Sequence, residues 1–243
     1  MENLYSKELL GSFNELTLKL QNESKHLKEI SNFMNNFHQL ESKVLKKIQK
    51  LISPLKSLIN PDEDNSSIIF MNSCVYFIEK QIKLMIQFNK MIEIQLLSEL
   101  KDFTVLYEKQ IKTNITEGSK HLQKYKEIEL EVIKAKNNYD NERFIFAQKN
   151  IDQTIIIIPS EKEKEIKLKV QQLKEVYANK IFELNSHCKK ATTRYKIILD
   201  SFQQLEEKRI NIIKKKFTML LKEYLVIHSE STSDLNVILK RLC

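Results

Sequence analysis

Two glycines and three prolines in 243 residues leave this chain very few places to turn. Average usage of about 7% Gly and 5% Pro would put roughly 28 such residues in a chain of this length. Long stretches instead carry apolar residues at helical spacing with almost nothing to interrupt them. A long helix with one apolar stripe must bury that stripe on another helix. The expected fold is all-α, an elongated antiparallel helical bundle or coiled coil. No change of composition divides residues 1–243 into more than one domain.

The apolar spacing predicts a short helix over 3–21, with Leu9, Phe13, Leu16 and Leu20 on one face, and a cap at Asn22–Ser24. A second helix is expected over about 24–59, striped by Leu27, Ile30, Phe33, Phe37, Leu40, Val44, Ile48, Leu51 and Leu55, with Pro54 kinking its last turns. Asn60–Ser67 reads as a loop. The third helix has no breaker over 67–149, roughly 120 Å of rod at about 1.5 Å per residue. A single chain of this size cannot cover so long a rod, so a second copy is expected against it. Gly118, inside that pattern, marks a bend or a close helix approach. Four isoleucines before Pro159 read as a turn over 154–160, and Ser160 with Glu163 makes a capping box. The fourth helix is expected over about 161–225, followed by a polar loop over 228–234 and a last short helix over about 234–242. An ending of that kind reads as a piece of something longer.

The net charge of +8, from 40 Lys and Arg against 32 Asp and Glu, favours an anionic partner such as a lipid surface or nucleic acid. Nucleic acid fits poorly: no basic region adjoins a zipper, no zinc-finger spacing exists, and the aromatics sit in apolar stripes rather than among the lysines. Cys74, Cys188 and Cys243 are odd in number and far apart, the pattern of a reduced, cytoplasmic compartment. No secretory signal opens the chain, and no apolar run approaches the ~20 residues of a bilayer span, so membrane contact is expected to be peripheral. His26, His38, His121, His187 and His228 have no ligand spacing, and neither a nucleotide loop nor a nucleophile elbow is present. No metal, cofactor or catalytic residue is expected. Two basic features stand out: Lys109, Lys112, Lys120, Lys124, Lys134 and Lys136 along the third helix, and the cluster Lys208-Arg209, Lys214-Lys215-Lys216 and Lys222.

Three local patterns resemble the F-BAR (FCH-BAR) domain family. Phe13-Asn14-Glu15-Leu16, followed by Leu27, Phe33, Leu40-Glu41 and Lys46–Leu51, is similar to its N-terminal signature. Lys134-Ala135-Lys136-Asn137-Asn138-Tyr139, its second lysine 18 residues after Gly118, looks like the segment late in the family's third helix. Tyr177, Leu184-Asn185, Tyr195 and Gln204–Ile210 resemble a run in its fourth helix. The order short helix, long helix, very long helix, turn, long helix is also that of the family, and the likeness covers almost the whole chain.

The resemblance implies an antiparallel homodimer and peripheral binding to anionic phospholipid membranes at the plasma membrane or cell cortex. It also implies sensing or induction of membrane curvature, and links to actin, endocytic or Rho-family GTPase machinery through regions outside these residues. Lys112 and Lys120 match positions that are basic in membrane-binding relatives, whereas Asn35, Phe37, Ser53 and Pro54 stand where many have basic residues. The resemblance thus leaves a second reading, an obligate dimerisation and protein-interaction scaffold without lipid binding. The expected dimer interface holds Phe13, Leu16, Leu27, Ile30, Phe33, Phe37, Leu40, Phe88 and Phe103.

Overall fold

Residues 20–34 place Leu20, Ser24, Leu27, Ser31 and Met34 at alternating steps of four and three, the seam of a coiled coil. All five are buried, the two serines included. The seam runs unbroken through residues 22–24, so no cap forms there. The computed structural model describes residues 4–57, 59, 66–152 and 160–242, and has one continuous helix where the sequence suggested a break. The described residues form α1 (Leu4–Glu8), α2 (Phe13–Ser57), α3 (Ser66–Met91), a π-helical turn (Ile92–Leu97), α4 (Ser98–Asp152) and α5 (Ser160–Leu242). The actual break lies at Leu9–Ser12. There Ser12 N–H donates to Leu9 O (3.0 Å), and Ser12 O accepts the first bond of α2 from Leu16 N–H (3.0 Å). Gly11 in this turn is the weaker helix former, by about 1 kcal/mol relative to alanine.

The second correction concerns the long third helix. Phe88, Ile92, Leu96 and Leu100, all buried, follow one another at steps of four. Three such steps use twelve residues where an α-helix turns through 10.8, so the stripe would drift off the core. The π-helical turn takes up the excess, and both Leu96 and Leu97 are buried there. Lys216 from α5, only 3% of its side chain exposed, donates to the freed Gln95 carbonyl and to Glu99. That ammonium holds the Glu99 carboxyl below the usual carboxylate range.

The third correction is at the C-terminal end, where α5 continues through 228–234 without a loop. The polar residues there bond sideways or backward instead of capping. Thr232 and Ser231 donate to the carbonyls four residues earlier (2.8 and 2.7 Å), and Asp234 receives Lys80 (2.6 Å). The Asn60–Asn65 part of the expected loop and the turn around Pro159 lie outside the described residues, as does the Glu163 side chain of the expected capping box.

The chain divides into two compact units whose boundaries fall inside α2, α4 and α5. The first unit joins residues up to Thr17 with Ile111–Gln203. In it α4 and α5 run antiparallel: Glu142, Glu131 and Glu117 pair in turn with Lys169 (2.9 Å), Lys180 (2.6 Å) and Arg194 (2.8 Å). Each step back along α4 is thus matched by an equal step forward along α5. Phe13 packs edge-on against Tyr195, with ring centroids 5.2 Å apart, and alongside Phe202 at 6.3 Å. Tyr5 N–H donates to Gln203 Oε1 (3.1 Å), fixing α1 to α5.

Gly118 faces that aromatic cluster. A Cβ there would fall 2.6 Å from Phe13 Cε2 and 3.0 Å from Cε1, and Tyr195 Oη donates to the Gly118 carbonyl (2.8 Å). This is the close approach that the isolated glycine suggested. Gly118→Ala is expected to destabilise the protein despite alanine's better helix propensity, because overpacking costs about 1–3 kcal/mol. In urea denaturation, adding Phe13→Leu should recover part of the loss. Additive effects of the two substitutions would show that the ring and the glycine are not coupled.

The second unit comprises Leu18–Gln110 and residues from Gln204 on. Leu45 and Ile52 of α2 pack with Val75 and Ile82 of α3. A buried ionic group lies where α2, α4 and α5 meet. Tyr107 Oη donates to Glu206, while Arg209 donates to both oxygens of Glu206 (3.1 and 3.0 Å) and reaches Glu23 (2.9 Å). Burial first, then the Glu206 carboxylate, push the Tyr107 phenol far up. Burial and Glu41 push Tyr224, edge-on to Phe88, up to about 12.

Candidate functional site

A lysine can serve a surface only if its charge is not already matched within the chain. Lys109, Lys112, Lys120, Lys124, Lys134 and Lys136 are all exposed on α4. Lys109 belongs to the second unit and the other five to the first. At 100° per residue, Lys112, Lys120, Lys124 and Lys134 share one broad face, whereas Lys136 is turned some 200° from Lys134. Lys124 pairs with Glu127 (3.6 Å), and Lys112, Lys120 and Lys134 have no such partner among the described residues. Lys120 and Lys124 line a shallow recess of about 550 Å³ with Thr116, Ser119, Gln123 and Glu127. The Thr116 hydroxyl donates to the Lys112 carbonyl (2.8 Å) and the Gln123 amide to Glu127 (3.1 Å), so Lys120 and the Ser119 hydroxyl are the groups there that can meet a phosphate oxygen. Lys126, which the sequence reading passed over, is exposed on the same side one turn before Leu130. Its i, i+4, i+8 spacing with Leu130 and Lys134 was the available signal.

Two members of the other basic cluster, Arg209 and Lys216, are drawn inward, and Lys215 is exposed but paired. Arg209 is held by Glu206 and Glu23, Lys216 by the π-helical turn, and Lys215 lies 3.5 Å from Glu99. Lys208, Lys214 and Lys222 remain exposed.

The nine residues expected between subunits separate into two sets. Phe13, Leu16, Leu27, Phe88 and Phe103 are buried by the chain's own helices, which leaves them no apolar surface to offer a partner. Ile30 and Phe37 are half-buried, and Phe33 and Leu40 are each 59% exposed. Phe33, Leu40, Val44 and Leu51 follow at steps of seven, four and seven, so they share one face of α2 beside the buried Leu20–Met34 seam. Leu51 is 76% exposed. The apolar arc of α2 is wider than the helices of its own chain cover. The large exposed apolar side chains are also concentrated in the second unit, with 19 of the 29 among the described residues.

Among the described residues, no group of His, Cys, Asp or Glu is placed to hold a metal ion, and no helix is long and apolar enough to cross a membrane. His187 Nε2 lies 3.2 Å from the His121 carbonyl, an inter-helix hydrogen bond within the first unit.

No known family model matches the chain, and no curated protein does. Solved structures do. The Imp2 F-BAR domain superimposes with a TM-score of 0.80 at 12% identity, over 98% of this chain and 83% of that one. The Hof1p F-BAR domain gives 0.76 at 10% identity, over 94% and 86%. The amphiphysin BAR domain from Drosophila gives 0.56 at 14% identity, over 95% and 91%. With long antiparallel helices and no strand among the described residues, this chain has the F-BAR fold.

Proposed function

We propose that the chain is a homodimeric scaffold that adheres to anionic membranes and senses or imposes their curvature. Its place is then the cytoplasmic face of the plasma membrane or the cell cortex, where it would link membrane shape to actin or endocytic machinery. The observation that carries this reading is the row of exposed lysines on one face of α4, most without an internal partner, in a chain of F-BAR fold. Each lysine near an anionic leaflet contributes about 1 kcal/mol, and a dimer doubles the number. Adhesion by number suits a stiff helical surface, because a shape that is already rigid loses little entropy on contact. The second subunit would cover the Phe33, Leu40, Val44 and Leu51 face of α2.

Co-sedimentation with vesicles of phosphatidylserine and phosphoinositide tests the reading. Lys112→Glu with Lys120→Glu should weaken binding on the order of a hundredfold or more, since four charges are reversed in each dimer. The dimer mass should not change. A second reading, a dimeric protein-interaction scaffold without lipid binding, rests on Asn35 and Phe37. Asn35 accepts from Lys101 (3.4 Å), and Phe37 stacks on Phe33 at 6.4 Å, so neither offers a charge. Wild-type protein that stays in the supernatant at low salt would favour that second reading.

A further inference from the structure

Leu130 is 66% exposed on α4, with Lys126 one turn before it and Lys134 one turn after. Ile133, 49% exposed, adjoins it three residues on. A single exposed leucine is ordinary. Among the described exposed large apolar residues of the first unit, however, only Leu130 has a lysine at both i−4 and i+4. Two of the nearby carboxylates are ion-paired, Glu127 with Lys124 (3.6 Å) and Glu131 with Lys180 (2.6 Å), while Glu129 accepts from the neutral Tyr125 phenol (3.1 Å) and keeps its charge on a different side of α4 from Leu130. Lys126 and Lys134 have no ion-pair partner among the described residues. The result is an aliphatic centre flanked by unmatched ammonium groups.

That chemistry fits the headgroup boundary of an anionic bilayer. Lysine stems extend along apolar surface while their ammoniums reach phosphates, and branched aliphatic side chains partition into the acyl boundary. A second copy on this face would bring the same lysines against each other. We propose that Leu130 and Ile133 insert between the lipid headgroups, with Lys126 and Lys134 holding phosphates on either side. This rests on the membrane reading above and adds to it a component of binding that salt does not screen.

The chain contains no tryptophan, so Leu130→Trp supplies a single fluorescent reporter. With vesicles of phosphatidylserine and phosphatidylcholine its emission should move to shorter wavelength, and brominated acyl chains should quench it. Phe182→Trp on α5, exposed but with alanine and serine at i±4, should remain unshifted as a control. Leu130→Ser with Ile133→Ser should reduce vesicle affinity about ten- to hundredfold, with most of the loss surviving at high salt. A Leu130→Trp variant that pellets with vesicles yet neither shifts nor is quenched overturns the insertion and leaves the membrane reading intact. Wild-type protein that fails to pellet at low salt overturns both. An emission shift of the Leu130→Trp variant that follows protein concentration without vesicles assigns the face to self-association and also overturns the insertion.

Discussion

Phe33→Glu with Leu40→Glu is expected to turn the protein into a well-folded monomer at micromolar concentration. Each side chain is 59% exposed in the single chain, so each has about 1–2 kcal/mol of apolar burial still to gain. A two-fold dimer buries both residues in both subunits, giving about 4–8 kcal/mol from four side chains. Losing that weakens association by roughly three to six orders of magnitude, before the added carboxylates are counted. Neither residue belongs to the buried Leu20–Met34 seam, so helical content by circular dichroism should be unchanged. Leu51→Ser, further along the same face, should give a weaker shift in the same direction. A double variant that keeps the wild-type mass in sedimentation would place the interface elsewhere.

The second large effect is expected at Arg209. Its guanidinium matches the Glu206 carboxylate with two hydrogen bonds and takes Glu23 as well, in a setting where Glu206 and Tyr107 are buried. Arg209→Met keeps much of the side-chain bulk but leaves the buried Glu206 carboxylate with no cation. Breaking a buried pair from one side costs about 3–5 kcal/mol, because the remaining charge stays desolvated. In a chain of this size, each kcal/mol lowers the melting temperature by about 2–4 °C. Arg209→Lys should fall between wild type and Arg209→Met, since an ammonium restores the charge without the two-pronged geometry. Lys28, paired with Glu108 at the surface, is the contrast: both side chains are substantially exposed, and Lys28→Met should change stability by about 1 kcal/mol or less. An Arg209→Met melt within error of wild type would show that Glu206 finds water or another partner.

The fold class was legible in the sequence because its signal is long-range and redundant. Two glycines, three prolines and unbroken stripes leave few alternatives to long helices. The ends of elements were less legible. Asn22 to Ser24 have the composition of a cap, yet Ser24 is a buried seam position, and only its spacing from Leu20 and Leu27 distinguishes the two roles. The polar run at 228–234 misled in the same way, since serine and threonine bonded to the preceding turn compete with their own capping tendency. The π-helical turn left a trace, three consecutive steps of four, but its stabilising partner Lys216 is more than a hundred residues away in sequence.

The candidate site shows the same division. Exposure of the lysines on α4 followed from their placement among polar positions of a long helix. Which cations are spent on internal partners depends on neighbours from other helices. The cluster around Lys208 to Lys222 is dense in sequence, yet Arg209 and Lys216 point into the protein. Likewise, periodicity identified the apolar stripe of α2 without separating Leu27, covered within the chain, from Leu40, left on the outside.

The most direct test of the account is the mass of the wild-type protein in sedimentation equilibrium at micromolar concentration. A second copy covering the exposed face of α2 predicts twice the 28.9 kDa of the chain, with no monomer detectable until the protein is diluted well below that range. A folded, monodisperse species of 28.9 kDa at those concentrations would contradict it.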